Sequence, residues 1–504
     1  MSAAGLQPRL RAGLAPLDRP LTSYYLILGT SGLLLAVGLV MVLSTSSASQ
    51  LDSGSSPYAV FDKQLIGALV GLAIMFVLAH VPPRLLRSVA YPVLLAAIAG
   101  LVLVLAFGTT VNGAERWIQV GGVPIQPSEF AKLALLLWGA DLLARKEQLG
   151  QLKNWRTLLI PLLPGAAVLA MLVMLGDDLG TTFVLLVILL ALLWVIGTPA
   201  RLFACILGLI LFALGLLVIV QPYRLLRVTG YLNQSGNPVG QNQQGIQGTW
   251  AIASGGFWGV GLGGSKEKWG WLPNATNDFI FAILGEELGL IGTVCVVLLY
   301  GGLGYAGLRV ARRVADPFMR LAAAGATAWI VVQALVNICA VVGLLPITGV
   351  PLPLISAGLS SLLATMAAIG MLLCFARFEP GAREALAMTA PRWRRRLAAA
   401  MPKGEAIARD GRSSGGPGGL ARARRGKVRP ESAGSDQPRP APSRLADPGA
   451  RPVHPGRSGR RRPPQGSVAR AQRQAARGHG LAPPGAVQRS RPRTPGSERH
   501  NRPQ

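Results

Sequence analysis

Histidine is almost missing from this 504-residue chain: there are four, and only His80 precedes position 454. Ser-His-Asp hydrolysis and histidine-rich metal sites therefore have little to work with. The four cysteines, Cys205, Cys295, Cys339 and Cys374, stand singly in apolar runs. Without paired spacing they read as buried packing residues rather than a disulfide framework or a zinc site. Charge is scarce as well. Asp, Glu, Lys and Arg make up 14% of the chain, 51% is hydrophobic and the mean hydropathy is +0.42, whereas soluble domains carry roughly a quarter charged residues. A water-soluble enzyme is excluded. The net charge of +28 is unevenly spread, because 29 of the 50 basic and 8 of the 22 acidic residues follow position 376. An apolar body thus precedes a basic tail, and the two differ in physical character enough to be read separately.

A bilayer-spanning helix takes about 20 apolar residues, and the body offers ten candidates: Ser23 to Leu43, Gln64 to His80, Pro92 to Phe107, Glu129 to Ala144, Leu158 to Leu175, Gly180 to Ile196, Leu202 to Val220, Asp278 to Leu308, Leu321 to Leu345 and Leu352 to Phe375. Within lipid every backbone polar group must be satisfied internally, so an all-α polytopic fold is expected. No small-residue cleavage site follows the first apolar run, so that span should be retained. Arg9, Arg11 and Arg19 precede the first span; Arg84 and Arg87, Arg145 to Arg156, Arg201, and Arg309 to Arg320 follow the second, fourth, sixth and eighth. This bias places those loops and both termini in the cytoplasm. Residues 1–22 form the N-terminal segment, 23–376 the membrane domain, and Gln221 to Asn277 one long external loop between spans seven and eight. Residues 377–504, rich in Arg, Pro, Gly and Ser, cannot bury a core and are expected to be disordered; their charge suits anionic lipid or an acidic cytoplasmic partner. Arg460-Arg461-Arg462 lacks the aromatic platform of a nucleic-acid binder.

Ionisable residues at membrane depth mark candidate sites. Glu129 and Lys132 lie one helical turn apart and are expected to pair, with Arg116, Gln126 and Ser128 just upstream. Asp177 and Asp178 occupy a short external turn where either a helix cap or a ligand contact would account for an aspartate. Glu286 and Glu287 read as a helix-packing lock. Asp278 sits where the long loop re-enters the membrane, and helix capping is again the ordinary account. Nearby Lys266 and Lys268, with Trp258, Trp269 and Trp271, make it a better candidate for chemistry on an amphiphilic phosphorylated substrate. Gly259-Val260-Gly261-Leu262-Gly263-Gly264 matches part of a dinucleotide fingerprint but lacks the strand before it.

Several motifs in order, Gln126-Pro127-Ser128-Glu129-Phe130-Ala131-Lys132, Gly259 to Gly263, Leu272-Pro273 through Asp278-Phe279-Ile280-Phe281, Gly285-Glu286-Glu287-Leu288-Gly289, Gly343 to Pro346 and Pro353-Leu354-Ile355-Ser356, closely resemble the SEDS family (shape, elongation, division and sporulation) over about residues 20 to 378. The cell-division members of actinobacterial type are more similar than the elongation members. One departure is Ala275-Thr276-Asn277, where the family has a histidine before the key Asp. The resemblance implies polymerisation of lipid II into peptidoglycan glycan strands at the outer face of the cytoplasmic membrane during septal synthesis, with lipid II flipping or the elongation role as alternatives. It implies Asp278 as the catalytic carboxylate, and Arg116, Gln126, Ser128, Glu129, Lys132, Asp178 and Lys268 as substrate-binding residues. Arg116, Lys132 and Lys268 would face the leaving pyrophosphate, with or without a divalent cation such as Mg or Mn. The implied partners are a monofunctional class B penicillin-binding transpeptidase and other division membrane proteins, not nucleic acid.

Overall fold

The computed structural model describes residues 20–385 except 53–55, 112–113, 122, 222–230, 232–242 and 383. The expectations for residues 1–19, for most of the first half of the long loop and for nearly all of the basic tail lie outside the described residues. The helices are α1 (Thr22–Asp52), α2 (Ala59–His80), α3 (Pro83–Ser88), α4 (Ala90–Phe107), α5 (Pro127–Gln148), α6 (Trp155–Leu159), α7 (Leu162–Leu175), α8 (Leu179–Val195), α9 (Ala200–Val220), α10 (Gln243–Gly255), α11 (Ile280–Arg313), α12 (Pro317–Val341) and α13 (Leu359–Ala376). Eight segments among the described residues are long and apolar enough to cross a membrane, α6 and α7 counting as one. Two more helices fall short, α8 by length and α5 by its charges.

α5 is nevertheless at the centre of the bundle, packed against α4, α8, α12 and α13. Its charges are tolerated because each has a partner, as buried ions require. Lys132 pairs with Glu129 at 2.8 Å, Asp141 with Arg87 and Arg145 at 2.5 and 2.7 Å, and Glu147 with Arg320 at 2.7 Å. Lys146 donates to the carbonyls of Thr157, Leu158 and Ile160. By contrast α9 buries only Ile206 and shows its apolar side chains outward nearly all round, as suits contact with lipid.

Four features depart from the sequence expectation. A three-stranded antiparallel sheet, β1 (Thr109–Val111), β2 (Ala114–Val120) and β3 (Val123–Ile125), interrupts the all-α pattern between α4 and α5, with Thr109 opposite Trp117 and Ile118 opposite Ile125. The sequence between the paired strands reads Asn112-Gly113 and Gly121-Gly122, dipeptides that two-residue hairpins favour. Cys205 and Cys295 are exposed rather than buried, because a spanning helix turns apolar side chains to lipid as readily as inward. The eighth span is broken: Gly289 has φ 66° and ψ −163° inside α11. The glycine-rich loop fills that break, Val260 N donating to Glu286 O, Gly261 N to Glu287 O, and Leu290 N to Gly256 O. A Cβ on Gly259 would lie 2.2 Å from Glu287 O, so the loop's glycines serve close backbone approach. Finally, residues 342–358 run as irregular backbone between α12 and α13, so the tenth span becomes helical only at Leu359. Leu352, Leu354 and Ile355 of that segment are buried. Leu354 has φ +68°, and its carbonyl lies so close to α1 that a Cβ on Gly38 would approach it to 2.3 Å.

Candidate active site

Asp278 stands one residue before Phe279, the N-cap of α11, which makes no side-chain capping bond. What the structure adds is the way its backbone is held. Ala357 N donates to Thr276 O at 3.0 Å, Ser356 Oγ to Asn277 O at 2.6 Å and Asn337 Nδ2 to Asp278 O at 2.8 Å. Three successive carbonyls are thus fixed from α12 and the irregular segment. Ser356 Oγ also accepts from Leu352 N, while Gln64 of α2 spans Ser356 O and Gly358 N. Backbone without a helical ladder needs such partners at membrane depth.

Lys132, 1% exposed, binds Glu129 and donates to Gln333 Oε1 at 3.2 Å, with the Trp329 ring 5.0 Å away. The expected Glu129–Lys132 pair is present. Around it, Gln126 Nε2 donates to Ser128 Oγ and to Asp178 Oδ2, and Ser128 Oγ donates to the same carboxylate oxygen at 3.2 Å. Asp178 Oδ1 accepts from Thr181 N at 3.0 Å, which makes it the N-cap of α8. The cap reading of Asp178 is the one the geometry bears out, and its second oxygen organises Gln126 and Ser128. Gln126 N donates to Ser360 Oγ at the start of α13. From β2, Arg116 reaches the carbonyls of Gly176 and Asp177. Arg116, Ser128 and Asp178 line one narrow cleft whose other wall is Leu101, Val104 and Leu105 of α4 with Leu172 and Val173 of α7.

Lys268 is placed differently. Its Nζ donates to Glu287 Oε1 at 3.0 Å, Gly263 O at 2.8 Å and Ser44 Oγ at 3.0 Å, and the residue is 6% exposed. The three ammonium protons have three acceptors within the protein, so an anionic ligand would have to take the cation from Glu287. Glu286 accepts from Ser265 Oγ at 2.5 Å and from Lys266 N at 2.9 Å. Both glutamates form the packing lock that their depth called for, tying the loop to α1 and α11. Burial, and after it the charge of Glu286, raises the Glu267 pKa. Among the described residues no three His, Cys, Asp or Glu side chains converge as a metal ion requires.

Missing from the sequence-based site were Gln64, Gln333, Asn337 and Ser356. Gln64, Gln333 and Asn337 are amides within apolar helices, a signal that polar groups at membrane depth always carry.

Fold and site together define a multi-pass helical membrane protein whose polar residues gather at irregular backbone where helices break. The family of FtsW, RodA and SpoVE, described as cell cycle protein, matches residues 24–380, and this chain belongs to it. It is 43% identical over 382 residues to the probable peptidoglycan glycosyltransferase FtsW of Mycobacterium tuberculosis, covering 75% of this chain and 72% of that one. It is 37% identical to stage V sporulation protein E of Bacillus subtilis, across 69% of this chain and 95% of the other. Among solved structures it is similar to a chain from a peptidoglycan synthase complex that coordinates polymerization and crosslinking (31% identity, TM-score 0.56, 70% of this chain and 96% of that one). Rod shape determining protein RodA of Thermus thermophilus superposes with TM-score 0.53 at 28% identity, over 70% and 96% of the two chains.

Proposed function

We propose that this chain is the peptidoglycan glycosyltransferase of septal wall synthesis, polymerising lipid II with Asp278 as general base. The observation that carries the assignment of Asp278 is its mooring: a half-buried residue whose own and two preceding carbonyls are held from other segments. A sugar hydroxyl of one lipid-linked disaccharide attacks the anomeric carbon of another. The new C–O bond forms as the bond to undecaprenyl pyrophosphate breaks, and the hydroxyl proton passes to Asp278, within hydrogen-bond reach in the productive pose. Arg116 supplies positive charge for the departing pyrophosphate, Lys132 adds to it where the pyrophosphate draws it from Glu129, and Gln126, Ser128 and Asp178 order the cleft that Arg116 lines. Lys268 holds the loop instead. No step is routed through a metal. The midplane carboxylates on which lipid II flipping would depend, Glu286 and Glu287, are engaged within the protein, which favours transfer over transport.

Purified protein incubated with labelled lipid II and its class B transpeptidase is expected to yield glycan chains and free undecaprenyl pyrophosphate. Lipid II left intact by a correctly folded complex, in assays where another polymerase consumes it, would refute the assignment.

The chain crosses the membrane ten times in this reading, α5 and α8 included, with Asp278 outside, both termini cytoplasmic, and the basic tail free to meet anionic lipid or an acidic division protein. In a background lacking native cysteines, Trp258→Cys is expected to react with an impermeant thiol reagent on intact cells, and Gln151→Cys only after lysis. The reverse pattern would invert the topology.

A further inference from the structure

We propose that Asn337 and Gln333, one turn apart on α12, are positioning residues that keep Asp278 in register with Lys132. The inference rests on the reading of Asp278 as the base. Asn337 is 2% exposed, and its Nδ2 donates to two carbonyls from different segments, Asp278 O at 2.8 Å and Val350 O at 2.7 Å. Since both partners are acceptors, the orientation of the amide is set by chemistry. Gln333 lies four residues earlier on the same helix face. Its Nε2 donates to Pro351 O at 2.8 Å, and its Oε1 accepts from Trp329 Nε1 at 2.8 Å and Lys132 Nζ at 3.2 Å.

One chain of contacts therefore runs from Asp278 through Asn337, the neighbouring carbonyls of Val350 and Pro351, and Gln333 to Lys132 and its partner Glu129. The base belongs to the loop before α11 and the cation to α5, and no helical ladder joins them. α12 is the rigid element that touches both. Asn337 Oδ1 is buried without a hydrogen-bond partner among the described residues, an arrangement that costs stability. A side chain selected for packing alone would not leave an acceptor stranded there; one kept for its two donors would. Misplacing reacting groups by about 1 Å lowers rates by about a hundredfold, so a mooring of this kind acts on turnover and not on lipid affinity.

The test is steady-state polymerisation of lipid II by the purified complex carrying Asn337→Leu, which keeps the branched shape of the side chain and removes the donors. The expected result is a kcat lower by about tenfold to a hundredfold with KM and lipid II binding essentially unchanged. In the Asp278→Asn background the same substitution is expected to leave the residual rate nearly as it is, because Asn337 acts through the carboxylate. A folded Asn337→Leu protein with wild-type kcat, or an equal proportional loss in both backgrounds, overturns the proposal. Should Asn337→Leu fail to fold, Asn337→Ala removes both donors with a smaller side chain, and wild-type kcat in that variant is equally fatal. Asp278→Asn inactive beside fully active Asn337→Leu removes only the positioning role. An active Asp278→Asn removes the underlying reading and this proposal with it.

Discussion

Asp278→Asn is expected to lower glycan polymerisation by roughly a hundredfold to ten-thousandfold, the usual contribution of a general base, while the protein stays folded. The substitution keeps the shape of the side chain, and the contact with Asn337 is made by the backbone carbonyl of Asp278, which is untouched. The N-cap of α11 falls on Phe279, so the helix start does not hang on a capping carboxylate there. Asp178→Asn and Glu286→Gln are the comparisons, expected to lose far less rate, since neither carboxylate takes a proton in the proposed reaction and the amide keeps an oxygen to accept bonds from its neighbours. Glycan yield from labelled lipid II, measured with thermal stability and lipid II binding, reads all three. A stable Asp278→Asn enzyme working near the wild-type rate would end the catalytic assignment.

The second large effect is on stability. Lys268→Met removes the cation beside Glu287, whose side chain is fully buried in its pairing with Lys268. Breaking a buried ion pair from one side costs about 3–5 kcal/mol, because the remaining charge is left without compensation. Adding Glu287→Gln is expected to recover most of the loss, as neutral replacements of buried pairs are often close to neutral. Thermal denaturation of the purified protein in detergent reports both. If Lys268→Met instead unfolds like the wild type but binds lipid II weakly, Lys268 belongs to the substrate site, as the family resemblance implied.

The targets of these substitutions differ in how far the sequence alone points to them. Most spans were legible because an apolar run of about 20 residues has few stable homes outside a bilayer. The Glu129–Lys132 pair and the Asp178 cap were legible because their partners lie three residues away. Partners far along the chain were not: Lys132 meets Gln333 across 201 positions, and Ser356 meets Asn277 across 79. Lys268 lies ten residues from Asp278 in sequence, yet its charge is spent on Glu287, and only the fold of the intervening loop reveals that. The small sheet was announced by Asn112-Gly113 and Gly121-Gly122 but hidden among apolar residues that read equally well as helix ends. The glycine-rich loop gained its meaning only once the break at Gly289 was visible.

The crowding of charges on α5 bears on how the protein is made. A charged side chain at the centre of an isolated inserting helix costs about 2.5–3.5 kcal/mol, and α5 emerges from the ribosome before α12 exists. Its Glu147 waits for Arg320, 173 residues later, and its Lys132 for Gln333. If α5 spans the bilayer as proposed, it is a poor autonomous inserter, and its place there depends on segments synthesised afterwards. In that reading a nascent chain ending before α12 carries Glu147 and Lys132 without Arg320 and Gln333, so ribosome-bound truncations are expected to integrate α5 less completely than the full chain.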